Sequence, residues 1–241
     1  MFRHQGKTRT AKHNMQIASV LSFVAGLVNV AGFLAVQKLT TNVTGHFAFF
    51  VDAVFQNQFW NGFMYFLYIF FFFWGAFVSS FLVEFVARKN ENTTYIIPII
   101  IEILLLVFIA LFGKNLIENY SNVIACTLLF SMGLQNSLVT KISNSVVRTT
   151  HLTGLFTDLG IELAQLFFYK EQDLCQKLFS SIRLRLTIIS FFFIGGIVGG
   201  VFYSKLELKV LLIAVFFLIF GLIYDYLKLK IVLIHRKLHR L

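Results

Sequence analysis

Long apolar runs alternate with short polar breaks along this 241-residue chain, and six of the runs are long enough to cross a membrane as helices. A crossing helix needs about 20 residues to traverse ~30 Å of hydrocarbon at 1.5 Å per residue. The runs lie at 15–37, 60–87, 94–113, 121–140, 186–204 and 208–228. They are continuous, whereas the strands of a membrane β-barrel alternate apolar and polar positions. Two shorter segments, 42–56 and 149–168, break the series. Each follows polar residues and then turns apolar: TTNVTGHF at Thr40–Phe47 and RTTHLTGLF at Arg148–Phe156.

The polar breaks match one another. Gly26-Leu27-x-Asn29 corresponds to Gly133-Leu134-x-Asn136, and Thr41-x-x-Thr44-Gly45 to Thr150-x-x-Thr153-Gly154. From the glycine to the last threonine the offset is 18 residues in the first half and 20 in the second. Each half then runs span, polar motif, short helix, two spans. Two motifs repeated in order within matching hydropathy patterns indicate an internal duplication. Three spans per half is an odd number, so the second half is expected upside down relative to the first. Inverted repeats of this kind recur in secondary transporters, with the binding site near mid-membrane where the halves meet. The expected fold is all-α transmembrane: six spanning helices in two inverted three-span repeats, each with an extra short re-entrant helix. The repeats would occupy 15–113 and 121–228, flanked by basic cytoplasmic tails at 1–14 and 229–241.

Charge supplies the orientation. Of the 21 Lys and Arg, 17 fall in the segments on the N-terminal side of the membrane and four, Lys38, Lys114, Lys205 and Lys209, on the other. The positive-inside rule places both termini in the cytoplasm. The Thr41–Thr44 motif then belongs to the outer side and the Thr150–Thr153 motif to the inner. A net charge of +10 raises the question of nucleic acid, but the basic residues sit at the ends of apolar runs, where they set topology. Composition agrees with a membrane protein: 58% of residues are hydrophobic and 13% charged, against roughly 25% charged in a soluble domain. The run after the basic N-terminus is too long for a signal-peptide core and no cleavage pattern closes it, so it is expected to remain as the first span.

The threonine motifs are the candidate chemistry. A chain that enters the bilayer extended and returns as a helix leaves backbone groups that lipid cannot satisfy. Threonine hydroxyls can cap the helix start or bond loose carbonyls, and glycine permits close backbone approach. Two helix N-termini, starting near Thr44-Gly45 and Thr153-Gly154, would converge from opposite faces with unpaired N–H donors, an arrangement that favours an anion or the negative end of a dipole. The candidate substrate-binding residues are Asn29, Thr41, Thr44, Gly45, Gln135, Asn136, Thr150, Thr153 and Gly154. Thr-Gly pairs serve equally well in plain helix packing, and Gly195, Gly196, Gly199 and Gly200 have the small-xxx-small spacing of a helix contact face.

Ionisable residues at depth need a reason, since each costs at least ~2.5 kcal/mol on insertion scales. Glu102 lies well inside its span. Asp158 and Glu162 share one face of the second short helix, and Asp52 lies on the first. Glu102 and Asp158 are the candidates for proton coupling, because burial brings a carboxyl toward neutral titration. The alternative for Asp158 and Glu162 is a wet inner surface or pairing with Lys170 or Arg148. Glu84 is expected to pair with Arg88 one turn away. Cys126 and Cys175 read as unpaired thiols. His46 and His151 flank the two Thr-Gly pairs without the carboxylate or cysteine spacing of a metal site. No nucleophile–base motif or phosphate-binding loop points to an enzyme, and no cofactor is implied.

AGLVNVAGFLAVQKLTTNVTGHF and MGLQNSLV…VRTTHLTGLFTDLGIEL resemble the two signature regions of the YoaK-like family of bacterial multi-pass membrane proteins, over roughly residues 15–228. The resemblance implies fold and bacterial inner-membrane location more than activity, the family's function being uncharacterised. The family often has Asp where Asn29 stands and Asn where His46 stands, which shifts any proton coupling toward Asp158. The functional expectation is a secondary transporter of a small polar or anionic solute. The alternative, of a different class, is a non-transporting membrane component that binds a partner protein or lipid through its basic cytoplasmic face.

Overall fold

A computed structural model describes residue 2 and residues 9–88 and 93–238, by backbone alone at 229 and from 231 onward. Arg3, Lys7, Lys89 and Arg240, part of the expected orienting charge, lie outside the described residues. The described residues form seven α-helices: α1 Ala11–Val36, α2 Val43–Phe55, α3 Phe59–Ala87, α4 Ile96–Ile142, α5 Leu152–Phe168, α6 Gln172–Leu206 and α7 Leu211–Leu238, with a 3-10 turn at Glu207–Val210. Four helical stretches are long and apolar enough to cross a membrane, Ala11–Val36, Phe59–Ala87, Ile96–Ile142 and Gln172–Lys228, and Val43–Phe55 is a shorter apolar helix. Aromatic side chains left exposed along α3 stack on one another, Phe70 on Trp74, Trp74 on Phe77, Phe77 on Phe81 and Phe81 on Phe85. An exposed apolar stripe of this length is stable against lipid and not against water. The chain is an integral membrane protein.

The 47 residues of α4 would measure ~70 Å if straight, more than twice the hydrocarbon thickness. They do not run straight. Tyr120 leaves the helical region at φ −134°, ψ 34°. Glu102 and Gln135, 33 residues apart, are joined by a hydrogen bond of 2.8 Å. The limbs on either side of Tyr120 therefore lie antiparallel. The other long stretch breaks at Glu207, with φ 50° and ψ −136°. There α7 returns along α1, with Phe23 against Phe217 at 4.5 Å between ring centroids and Gln16 reaching Tyr224.

Helix ends differ from expectation in two places. The helix expected from 186 begins at Gln172, because QDLCQKLFSSIRLR, too charged for a span, continues as a helix and packs against α5. The expected tail from 229 is helical to Leu238.

Two helix pairs carry the packing, α1 with α6 and α3 with the second limb of α4. Both pairs are parallel, and both close on glycine. A Cβ on Gly26 would overlap the Phe192 carbonyl, and one on Gly195 the Phe23 carbonyl. In the other pair a Cβ on Gly133 would overlap the Phe72 carbonyl, and one on Gly75 the Phe130 carbonyl. Each glycine faces the backbone three residues before its partner glycine. Gly196, Gly199 and Gly200 extend the α1 contact onto Val30 and Leu27, as their spacing predicted.

Helix α5 is fastened to α6 by ions. Arg185 donates from Nη1 to Asp158 and from Nε to Glu162, each at 2.8 Å, and Ser181 donates to Glu162 at 2.6 Å. The expected partners, Lys170 and Arg148, are not used. Glu84 likewise bonds Lys141 on α4 instead of Arg88, joining two helices where a neighbour on its own helix was expected. Partial burial alone would raise the Glu162 carboxyl, but the hydrogen bonds from Arg185 and Ser181 and the Arg185 charge outweigh it and hold the carboxyl below its ordinary value. A depressed carboxyl contributes stability at neutral pH that is lost as pH falls through the folded-state value. Arg185→Gln should therefore raise amide hydrogen exchange in α5 at pH 7 while leaving α1 and α3 protected. Acidification below the ordinary carboxylate range should do the same to the unaltered chain. Equal protection of α5 with and without Arg185 would show the ion pairs to be idle.

Candidate functional site

Both polar breaks return to the helix that precedes them. Helix α1 stops at Gln37, whose φ of 54° turns the chain back and whose N–H bonds the Phe33 carbonyl. Thr40 then donates to the Val28 carbonyl at 3.2 Å and Thr41 to Asn29 Oδ1 at 2.8 Å. Asn42 caps α2, accepting the Gly45 N–H at 3.0 Å. An Asn in this position satisfies one of the free donors at a helix start. His46, 1% exposed, closes the tip by donating from Nε2 to the Leu39 carbonyl at 2.5 Å, and its ring packs on Tyr68 at 5.0 Å.

The second break repeats the plan with different detail. Asn136 Nδ2 donates to Thr150 Oγ1, joining the pair that matches Asn29 and Thr41. Thr149 Oγ1 lies 3.3 Å from Asn136 Oδ1 and 3.5 Å from Gln135 Oε1, bonding a side chain where Thr40 bonds a carbonyl. His151 occupies the capping position of α5 without a side-chain cap. Its ring folds over the helix start where Gly154 has no Cβ to obstruct it.

The two tips meet at one cavity of about 760 Å³. Asn29, Thr41, Thr44 and Gly45 line it from the first half, and Asn136, Thr150 and Thr153 from the second. Phe72 and Phe192 form further wall, and these are the residues whose carbonyls sit against Gly133 and Gly26. Two of the expected residues are elsewhere. Gln135 is buried behind the wall, donating to Glu102, and Gly154 packs under His151. Asp158 lies in the Arg185 ion pair on α5, and Glu102, 1% exposed, reaches the cavity wall only through Gln135 and Thr149.

The motif threonines divide into two kinds. Thr41 and Thr150 are tied to the asparagines and hold the extended segments in place. The Thr44 and Thr153 hydroxyls, exposed in the cavity at the first turns of α2 and α5, make no hydrogen bond to another described residue. These two hydroxyls, the starts of two helices and the polar side chains of Asn29, Asn42 and His151 are what the cavity offers a solute. Helix N-termini carry partial positive charge, so the offer suits an anion or a strongly polar oxygen. Sequence reasoning missed Asn42 and His151 in the wall. Asn42 could have been found, as an N-cap residue type directly before an apolar helix. Phe72 and Phe192 carry no polar signal and become visible only through the glycines beside them.

No curated protein and no solved structure matches the chain. A family model described as a protein of unknown function, DUF1275, matches residues 17–224 and so spans both breaks and reaches into all four long apolar stretches. The YoaK-like proteins that the two signature regions resemble are members of the same family. The chain belongs to this family of membrane proteins, DUF1275.

Proposed function

We propose that the chain is a secondary transporter of a small polar or anionic solute, bound in the cavity between the tips of α2 and α5. The observation that carries the reading is the convergence of two sequence-matched helix starts, one from each half, on a single cavity. Its support extends to the packing: the Asn–Thr bond occurs once in each half, and the two parallel helix pairs with their glycine contacts, α1 with α6 and α3 with the second limb of α4, each join one half to the other. On this reading Tyr120 and Glu207 are hairpin reversals and the chain crosses six times, as two inverted three-span repeats. The charge bias puts both ends on the cytoplasmic face of a bacterial inner membrane. The α2 tip then descends from outside and the α5 tip rises from inside. A carrier needs a site that either side can reach in turn, and a pocket roofed by one broken element from each half meets that need.

The test is ligand-dependent melting of the purified protein in detergent across a panel of small carboxylates, inorganic oxyanions and neutral amides. Some member of the panel should raise the melting temperature. Thr44→Val and Thr153→Val should each melt normally and lose that response, since their hydroxyls hold nothing else. Thr41→Val should instead lower melting in the absence of any solute, by about 1 kcal/mol, the net worth of one intramolecular hydrogen bond. A full solute response surviving in both Thr44→Val and Thr153→Val would remove the tips from the site.

A further inference from the structure

A second cavity, also of about 760 Å³, opens as a groove between α3 and the second limb of α4. It shares Asn136 and His151 with the tip cavity, so the two are direct neighbours. Beside Phe73, Ala76 and Phe77 its wall carries the hydroxyls of Ser80, Ser137 and Thr140 and two basic side chains, Lys141 and Arg148. No Asp or Glu lines either cavity. Lys141 is engaged by Glu84 beside the groove. Arg148 is exposed and makes no hydrogen bond or ion pair with another described residue.

The matching surface of the other helix pair is different. Between α1 and α6 there is a hollow of about 280 Å³ that shares only Phe192 with the tip cavity. Val30, Phe193, Gly196 and Ile197 complete it, and none is polar. Leu39 stands directly before its threonine pair where Arg148 stands before Thr149 and Thr150. The packing of the two helix pairs is alike, yet only one of the two flanks carries polar and basic side chains.

We propose that the groove between α3 and α4 is the aqueous mouth of the tip cavity and that Arg148 selects small oxyanions there, carboxylate or phosphate in class. The proposal rests on the transporter reading and narrows its solute from polar or anionic to anionic. An unpaired guanidinium at the rim of a cleft without carboxylates raises the local concentration of anions and repels cations. It is also the side chain best shaped to take an oxyanion in two hydrogen bonds. The opposite flank, lined by apolar residues, offers such an ion no polar partner. The same chemistry could be supplied by a lipid phosphate lying in the groove, and the experiment separates that source from a dissolved one.

The experiment measures thiol modification in a background of Cys126→Ala and Cys175→Ser, with Thr140→Cys reporting on the groove and Thr44→Cys on the far wall of the tip cavity. The proteins are reconstituted in phosphatidylcholine vesicles and treated from the Arg148 side. The probes are an anionic sulfonatoethyl and a cationic trimethylammonioethyl methanethiosulfonate. Both cysteines should react. Their anion-to-cation rate ratio, normalised to free mercaptoethanol, should exceed unity by about tenfold, the low end of electrostatic focusing in a charged cleft. Arg148→Gln should bring that ratio close to unity, and Arg148→Lys should keep most of it. A ratio indifferent to Arg148→Gln overturns the charge filter. Thr44→Cys reacting only from the opposite side overturns the mouth. Reaction in detergent that disappears in phosphatidylglycerol vesicles assigns the groove to a lipid headgroup and overturns the dissolved anion. If Thr44→Cys does not fold, Thr140→Cys alone decides the filter. The transporter reading fails separately, through the melting response of Thr44→Val and Thr153→Val.

Discussion

Gly133→Leu is expected to prevent assembly of the helix bundle, and Gly26→Leu, Gly75→Leu and Gly195→Leu to do the same. Each of these glycines lies against the backbone carbonyl of the neighbouring helix, so that a side chain there would occupy the place of main chain. In a core, an oversized residue is usually accommodated by neighbouring side chains at about 1–3 kcal/mol. Here no side chain can yield, and the helices must separate. Separation is costly in a membrane, where close van der Waals contact between small residues does much of the work that the hydrophobic effect does in water. It would also move the cavity: Gly26 lies one turn from Asn29 and Gly133 one turn from Asn136, so the glycines set how near Phe192 and Phe72 come to the polar tips. Alanine at these positions should lower the melting temperature measurably in detergent, and leucine should yield aggregated or unfolded material on size exclusion. Gly160→Ala is the control, since nothing lies within 4 Å of the added methyl. It should melt at or slightly above the unaltered protein, because alanine is the better helix former. A Gly133→Leu protein that elutes and melts normally would mean that the α3–α4 contact does not hold the bundle together.

Much of this was legible in the chain because membrane proteins write their constraints in composition. Lipid forces each crossing segment to be apolar, so interruptions stand out, and the elements that form the tip cavity were placed within a few residues, save the start of α6. The matched Gly-Leu-x-Asn motifs gave two of the four contact glycines and two of the three asparagines of the cavity wall. The other two glycines were harder. Gly195 was recognisable as a packing residue from its neighbours at 196, 199 and 200, but its partner could not be named. Gly75 stands in a run of phenylalanines, and its small companion at helical spacing is a serine, Ser79, which does not stand out as a second glycine would. Threonine chemistry was only half legible. The sequence shows three threonines per tip, but which hydroxyls are spent on structure depends on where the chain turns, and that is fixed in the first tip by Gln37 and by the His46 bond to Leu39. The carboxylates on α5 were misread in the same way, because Arg185 belongs to the next helix and only the antiparallel return of α6 brings it to Asp158 and Glu162.

Gln135→Leu should be the most damaging single change that adds no bulk, and Glu102→Gln should be nearly silent in stability. The two side chains are each 1% exposed and meet at 2.8 Å, Gln135 Nε2 donating to Glu102 Oε1. That bond is all the described residues offer the Glu102 carboxyl. Removing the donor leaves the carboxyl buried and unanswered, a loss on the scale of about 3 kcal/mol for breaking a buried polar pair that involves an ionisable group. In Glu102→Gln the new amide oxygen accepts the same bond from Gln135. The double variant Glu102→Leu/Gln135→Leu removes both polar groups together and should be more stable than Gln135→Leu alone, since an apolar pair strands nothing. The same comparison bears on coupling. Glu102, Gln135, Thr149 and Asn136 form a continuous line of hydrogen-bonding groups from the buried carboxyl to the cavity wall. If Glu102 carries the coupling proton, Glu102→Gln should keep the solute-dependent rise in melting and lose the dependence of uptake on a pH gradient. Should uptake in Glu102→Gln remain fully responsive to the gradient, the buried carboxyl would be a structural group, and the coupling proton, if any, would have to move through the opposite half or through Asp158.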